Sequence, residues 1–371
     1  MRTRSLIMAA GSLSASLLLV VPGVATAGPK PAPRPVVKSA VLAAPFNLDV
    51  RRDAVRVADG GLNLVGKLKA DGTIATIAAD QPGASGVATS GDGRRLAFTT
   101  TVTNMETFEN SASGLNIWGP RGKRIYADTH AYEVKHNPDK GNRYGVKNPS
   151  QCVSDTLEAM QFPVSYRGQV DSHAYSVAAF KGGWVVADAG ANALFTVTDA
   201  GKIRTLAVLP PQPLTFDQAT AGALGLPDCF LGVTYAFEPV PTDVEVGRDG
   251  YLYVTTLPGG PETPALGARG KLWRVNPRTG RATVVASGFV GATNLAIGKR
   301  GEFYVAEFFG GKITVLNHGK RSTLVQLPGV VAVETGPDGS VWAATMANED
   351  PAAPGTIVTI VKGKAHKQSR G

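Results

Sequence analysis

The chain has 371 residues, of which 18% are charged, and carries a formal net charge of +9. That is ample chain for a large core, and length alone would suggest two domains. The surplus charge is diffuse and excludes nucleic acid as a partner: the only dense basic cluster is Lys362, Lys364, Lys367 and Arg370, which with His366 reads as a solvated end.

The first residues read as an address. Arg2 and Arg4 precede an apolar run from Leu6 to Val21, and Ala25-Thr26-Ala27 has the small-x-small form that signal peptidase accepts. Residues 1–27 are therefore expected to be a signal peptide cleaved near Ala27, and the protein to be secreted to the extracellular space or cell envelope. No cysteine near that site offers lipid attachment, and no second apolar stretch reaches membrane-spanning length. Residues 28–35 read as a Pro-rich linker, 36–363 as one folded domain and 364–371 as a basic tail. Cys152 and Cys229 are an isolated pair without C-x-x-C spacing, which in an exported protein reads as a disulfide.

From residue 47 onward a hairpin recurs. Its first copy runs Asn47-Leu48-Asp49-Val50 to Val55-Arg56-Val57-Ala58-Asp59, and its second Gly86-Val87-Ala88-Thr89, through Gly91-Asp92-Gly93, to Leu96-Ala97-Phe98. The third is Ser176-Val177-Ala178-Ala179 turning at Lys181-Gly182-Gly183 into Trp184-Val185-Val186-Ala187-Asp188. The clearest is Asp243-Val244-Glu245-Val246, turn Arg248-Asp249-Gly250, then Leu252-Tyr253-Val254; copies at Asn294–Val305 and Val333–Trp342 follow. Alternating apolar residues on either side of a glycine turn are hairpin chemistry. A second hairpin follows each copy, for instance Leu194–Val197 with Ile203–Leu206 and Leu272–Val275 with Thr283–Val285. Six units of four short strands without helical periodicity between them predict an all-β fold, a six-bladed β-propeller. The segment Val36–Leu42 has no blade of its own, so it is expected to pair with Thr356–Val361 and close the ring, removing an exposed edge.

A bare unit needs about 38 residues, within the range of propeller repeats, and three units exceed it. Large insertions occupy Thr129 to Ala174 and Pro210 to Pro241; smaller ones fall at Thr101 to Gly114, Leu257 to Gly270 and Met346 to Gly355. In an up-and-down blade all of these lie on one side of the disc, the side where binding is expected. The two cysteines sit one in each large insertion and would tie them together. Asp155-x-x-Glu158 and Thr215-x-x-Gln218 fit capping boxes of two short helices, read as structural lids. The stretch containing His130, Glu133 and His136 lacks the helix-face spacing of a zinc site and reads as a solvated loop.

Tyr132-Glu133 with Asn137-Pro138-Asp139, Asp171-Ser172-His173-Ala174-Tyr175, Val186-Ala187-Asp188-Ala189-Gly190 and Pro241-Thr242-Asp243-Val244-Glu245 together resemble the ScyD/ScyE family of exported propellers. The similarity extends over most of the chain and is best from Tyr132 to Val305. His173-Ala174 stands where the family more often has Asn-Pro, and the Val-Ala-Asp and Asp-Gly segments are shared with NHL-like propellers generally. The resemblance implies an exported six-bladed propeller and no established reaction.

First-strand starts and second-strand ends meet near the channel mouth, which places Asn47, Asp59, His173, Asp188, Asp243, Asn294 and Glu307 there as candidate ligand-binding residues. Such an oxygen-rich ring would take Ca²⁺ or Mg²⁺. The bland alternative is that these side chains cap strand ends and bond neighbouring blades. Glu245, in mid-strand, faces either the channel or neighbouring strands. Gly-x-Ser-x-Gly is absent, as is any Gly-rich loop opening a helix. Two readings follow. One is a secreted binding propeller for a small molecule, glycan or extracellular protein segment, expected to be a monomer. The other is a divalent-metal-dependent lactonase or lyase, with Asp243, Asn294 and Glu307 as metal ligands and His173 as general base.

Overall fold

A computed structural model describes residues 32–361 except 262 and 348–352. The expected signal peptide and basic tail, and part of the insertion Met346 to Gly355, lie outside the described residues. Among the described residues no helix is long and apolar enough to cross a membrane.

Six four-stranded antiparallel sheets form the blades. Blade one is Pro45–Val50, Val55–Asp59, Leu64–Leu68 and Ile74–Ala78, and blade two Val87–Thr89, Leu96–Thr103, Asn110–Trp118 and Arg124–Asp128. Blade three is Ala174–Phe180, Gly183–Asp188, Ala193–Val197 and Ile203–Val208. Blade four is Pro241–Val246, Leu252–Thr256, Gly270–Val275 and Ala282–Phe289, and blade five Ala292–Ile297, Phe303–Glu307, Lys312–Asn317 and Lys320–Gln326. Blade six combines Val330–Thr335, Val341–Thr345 and Gly355–Val361 with the N-terminal strand Arg34–Leu42. That last pairing puts Arg34 opposite Val361 and Val36 opposite Thr359, so the ring closes as the sequence predicts, the strand starting two residues inside the expected linker. First strands of successive blades pack side by side around the axis, including blade six against blade one.

The second strands explain why these sequences are so apolar. Side chains alternate between the two faces of a strand, and a blade inside the ring has a neighbour on each face. Thus Trp184 and Val186 join the core shared with blade two, while Val185 and Ala187 join the core shared with blade four. Each of the six blade boundaries has such a core. The repeated glycine turns follow one plan: Gly250 N–H donates to the Gly247 carbonyl at 2.9 Å, and Gly93, Gly301 and Gly339 repeat the bond. All four glycines have positive φ, from 72° to 88°, where a β-carbon would be strained.

Three expectations about the insertions are overturned. The large ones are more than loops tied by a disulfide: their strands Arg143–Val146, Ser165–Arg167, Gln212–Thr215 and Thr234–Phe237 make a seventh four-stranded sheet, in which Val146 of one insertion pairs with Tyr235 of the other. It has its own core around Val153, Leu157, Phe216, Phe230 and Tyr235, and the Cys152–Cys229 disulfide borders it. The stretch Thr129–His136 is a helix, α1, capped by the Asp128 carboxylate on the Ala131 N–H at 2.7 Å, with Glu133 wholly buried. Each large insertion does carry a short helix, α2 (Gln151–Ala159) and α3 (Gln218–Ala223), but neither expected capping box forms: Asp155 and Glu158 lie inside α2, which Ser150 caps, and α3 is capped by Asp217, with Thr215 ending a strand. The smaller insertion Thr101 to Gly114 mostly lengthens a hairpin, with Thr101 opposite Ser113.

Candidate functional site in the central channel

The residues expected to ring the channel mouth are largely occupied in holding the propeller together. Asn47 accepts the Val87 N–H at 3.3 Å, Asp243 the Leu295 N–H at 2.8 Å, and Asn294 the Val333 N–H at 2.8 Å. These are equivalent bonds from one blade to the next. Asp243 also receives the Ser176 hydroxyl of blade three, so one carboxylate joins three blades. The second-strand ends act within a blade. Asp59 accepts the N–H groups of Ala43, Ala44 and Leu62 at 2.9–3.0 Å, and Asp188 those of His173 and Ala191 at 2.7 and 3.0 Å. Glu307 accepts the Val290 N–H at 2.7 Å and the Thr314 hydroxyl, with Lys312 at 3.8 Å.

Among the described residues no three His, Cys, Asp or Glu side chains converge as metal ligands. The oxygens of Asp243 and Glu307 are those just assigned to protein donors, and Asn294 is directed at blade six. His173 keeps a solvent-facing edge but is crowded by neighbours, its ring 5.6 Å from that of Tyr175, which in turn lies 5.8 Å from Phe46. Burial pulls its pKa down to about 4, so the imidazole is neutral and only weakly basic.

The channel contains a cluster that the hairpin pattern only hinted at. A cavity of about 350 Å³ is lined by Asn47, Asp49, Arg51, Glu245, Glu334 and Thr335 among others, and reaches Gly91 in a first-to-second-strand turn. It therefore lies toward the face of short turns, away from the insertions. Glu245 and Glu334 stand at the same position of their first strands, one residue before Val246 and Thr335. Period-two alternation sends both into the channel, because the residues just before them, Val244 and Val333, belong to the inter-blade cores. Asp49, the equivalent residue of blade one, is held by Arg51 at 2.7 Å, by Arg56 at 3.3 Å and by the Thr89 hydroxyl.

Charge is unbalanced here. Burial raises Glu245 well above the usual carboxylate range, and the charges of Glu334, Asp243 and Asp49 add to it while Arg51 opposes them. Burial likewise lifts Glu334 to about 8, against the Thr335 N–H that stabilises its ionised form, with Asp243 and Asp49 adding to the rise. Asp243 is raised to about 6 by burial despite its donors. Asp49, Arg51 and Glu334 do not stand out in the sequence as site residues. The signal that could have found them is the period-two position of Asp49, Glu245 and Glu334, polar where flanking residues are apolar.

No protein-family model matches the chain, and no curated protein matches it. Solved structures do share its architecture. A proposed oxidoreductase (glucose dehydrogenase) from Thermus thermophilus aligns over 89% of this chain and 100% of its own, at 13% identity and a TM-score of 0.53. A glucose dehydrogenase aligns over 89% of this chain and 99% of its own, at 12% identity and a TM-score of 0.52. A protein of unknown function from Bacteroides thetaiotaomicron aligns over 89% of this chain and 72% of its own, at 9% identity and a TM-score of 0.51. At such identities the likeness is one of fold alone, and the fold is the β-propeller.

Proposed function

We propose that the protein is a binding propeller whose central channel takes a small organic cation, an amine or guanidinium compound. The observation that carries this reading is the set of four carboxylates, Asp49, Asp243, Glu245 and Glu334, acting on one cavity with Arg51 as the opposing charge. Buried carboxylates that repel one another are relieved by a cation. The cavity is large enough for a molecule of several heavy atoms, and the lack of converging metal ligands among the described residues favours an organic cation over a bare metal ion. Asn47 lines the same cavity and would contribute its amide. Of the other residues expected to bind ligand, Asp243 would act through its charge, and Asp59, His173, Asp188, Asn294 and Glu307 would have supporting roles. Export belongs to the same proposal: the signal-like N-terminus, the resemblance to the ScyD/ScyE family and the disulfide all point to an extracellular or cell-envelope protein. The metal-dependent lactonase or lyase reading has no specific observation in its favour.

The test is calorimetric titration of the purified protein with putrescine, agmatine and choline, beside a neutral sugar and a dicarboxylate of similar size. Saturable binding of a cation, weakened at least tenfold in the E245Q/E334Q double variant, is the expected result. A preference for the sugar or dicarboxylate, or cation binding unchanged in the double variant, would refute the proposal.

A further inference from the structure

On the face of short turns a groove runs outward between blades six and one. Two cavities, of about 480 Å³ and about 550 Å³, have Val55, Asp338, Ser340 and Trp342 as common walls and so form one continuous cleft. Its inner end is bounded by Arg51 and Arg52, its outer end by Lys38 and Lys69. Strand register sets its course. Trp342 pairs with Glu334 on one side and Thr359 on the other, and Thr359 pairs with Val36, so these residues form a row across blade six. Trp342 packs on the core shared with blade one, which turns the row toward the groove. Neighbouring strands lie about 4.8 Å apart, so the row is about 14 Å long from channel to rim.

A packing difference opens this boundary. Between blades four and five, Tyr253 and Phe303 hold the positions that Trp342 and Val55 hold here, and their rings lie 4.6 Å apart. Val55 is smaller than Phe303, and the space of one ring is left open. The turn of blade one also runs 51–54, one residue fewer than the turns 247–251, 298–302 and 336–340. The half-buried Trp342 donates its indole N–H to the Ser340 hydroxyl at 3.0 Å, so its ring surface is what it offers the groove. Ser340 is held in turn by the exposed Asp338, which accepts its N–H at 3.0 Å and its hydroxyl at 2.6 Å. Cations prevail along the walls, Lys38, Arg51, Arg52 and Lys69 against Asp338. Arg51 is held by Asp49 and Lys69 lies 4.0 Å from Asp71, but among the described residues no ion pair engages Lys38 or Arg52.

We propose that this groove binds an acidic oligosaccharide, a short chain of uronate sugars, with one pyranose ring on Trp342 and carboxylates at Arg52 and Lys38. An indole face bordered by hydroxyl groups suits a sugar ring, which is apolar on its faces and polar at its edge. Guanidinium and ammonium groups suit its carboxylates. An acidic peptide fits less well. The strands along the groove, Val55–Asp59 and Val341–Thr345, are each paired on both sides, so they have no free backbone edge for a peptide to extend. The groove lies beside the channel cavity and takes its ligand by different side chains, so the proposal holds whatever the channel binds.

The test is calorimetric titration of the whole purified protein with tetragalacturonate, beside maltotetraose and tetraglutamate. Saturable binding of tetragalacturonate, at least tenfold tighter than either control and weakened by salt, is the expected result. V55F supplies the missing ring as Phe303 does between blades four and five, and should abolish binding with the melting temperature unchanged or raised. R52Q/K38Q changes two exposed side chains and should weaken binding about tenfold. W342A should abolish binding and W342F retain part of it, which separates loss of the stacking surface from failure to fold. No binding of tetragalacturonate, equal binding of maltotetraose or of tetraglutamate, or binding unchanged in V55F or in R52Q/K38Q would each overturn the proposal.

Discussion

The carboxylate of Asp243 accepts the backbone N–H of Leu295 at 2.8 Å across the boundary between blades four and five. Asn294 repeats the bond to Val333, and Asn47 makes a longer one to Val87. The position thus needs an acceptor at the start of a first strand and does not need its charge. D243A leaves the Leu295 N–H and the Ser176 hydroxyl without their acceptor, and is expected to lower unfolding stability by about 1.5–3 kcal/mol, the range for bonds to charged groups. D243N should recover most of that, because asparagine serves the same position in blades one and five. Denaturant melts of the two variants measure the difference; equal losses would show that the charge itself is needed.

The pH dependence of stability follows from the channel acids. Glu245 and Glu334 have folded-state pKa values above the usual 4.5, the latter about 8. The folded state therefore holds protons that the unfolded chain releases, and stability falls as pH rises through the window from about 4.5 to about 8. Glu133, raised to about 8, and Glu238, raised to about 7, act in the same direction. Thermal melts across that range should show a falling melting temperature, and E334Q should flatten the fall. A cation bound between Glu245 and Glu334 favours their ionised forms, so its affinity should rise with pH over the same window and its binding near pH 7 should release protons. Titrations in buffers of different ionisation enthalpy would detect the release; a proton uptake would contradict the assignment.

The Cys152–Cys229 bridge spans 77 residues of sequence, including the whole of blade three. Its two loops are also joined by the Val146–Tyr235 strand pair and by a shared apolar core. Removing it in C152S/C229S should cost about 2–4 kcal/mol, as for disulfides generally, and the loss should be local. Proteolysis should reach the segments 143–167 and 212–237 earlier than in the wild type, while the blades keep their β-sheet circular dichroism. Simultaneous loss of both signals would mean that the insertion layer is required by the ring.

Blade number, strand pairing and ring closure were legible because they rest on local patterns: alternation in Val244-Glu245-Val246, glycine turns such as Gly247–Gly250, and an N-terminal strand with no partner of its own. The disulfide followed from composition and from where the cysteines fell between repeats. The seventh sheet was not legible. Its strands are only three or four residues long, too short to show a period, and the central pairing that makes them one sheet joins segments separated by all of blade three. Helix α1 was missed for a related reason: its cap, Asp128, belongs to the last strand of blade two, and its polar sequence has little apolar face. In the channel, residue types were readable but directions were not. Asp243 and Asn294 read equally well as metal ligands or as blade clasps, and only the position of the next blade's N–H groups places their oxygens on backbone.

Gly190 makes the sharpest steric prediction. It lies in the turn after the second strand of blade three, between Asp188, which holds the His173 and Ala191 amides, and Asn192, whose amide reaches Asp139. A β-carbon on it would lie 1.7 Å from the Asp171 carbonyl oxygen and 3.2 Å from the His173 nitrogen. Backbone cannot yield there as a long side chain can, since Asp171 is held by Glu133 and His173 by Asp188. G190A is therefore expected to push the 171–173 segment off the blade and cost about 3 kcal/mol or more. Glycine at position 222 meets nothing within 4 Å of its hypothetical β-carbon, so G222A is a matched control that should leave the melting point unchanged or raised. If G190A melts with G222A, the close approach of the turn to Asp171 is not a feature of the folded protein in solution. If it melts far below, the turn of blade three is packed directly on the 171–173 backbone, as the 1.7 Å approach requires.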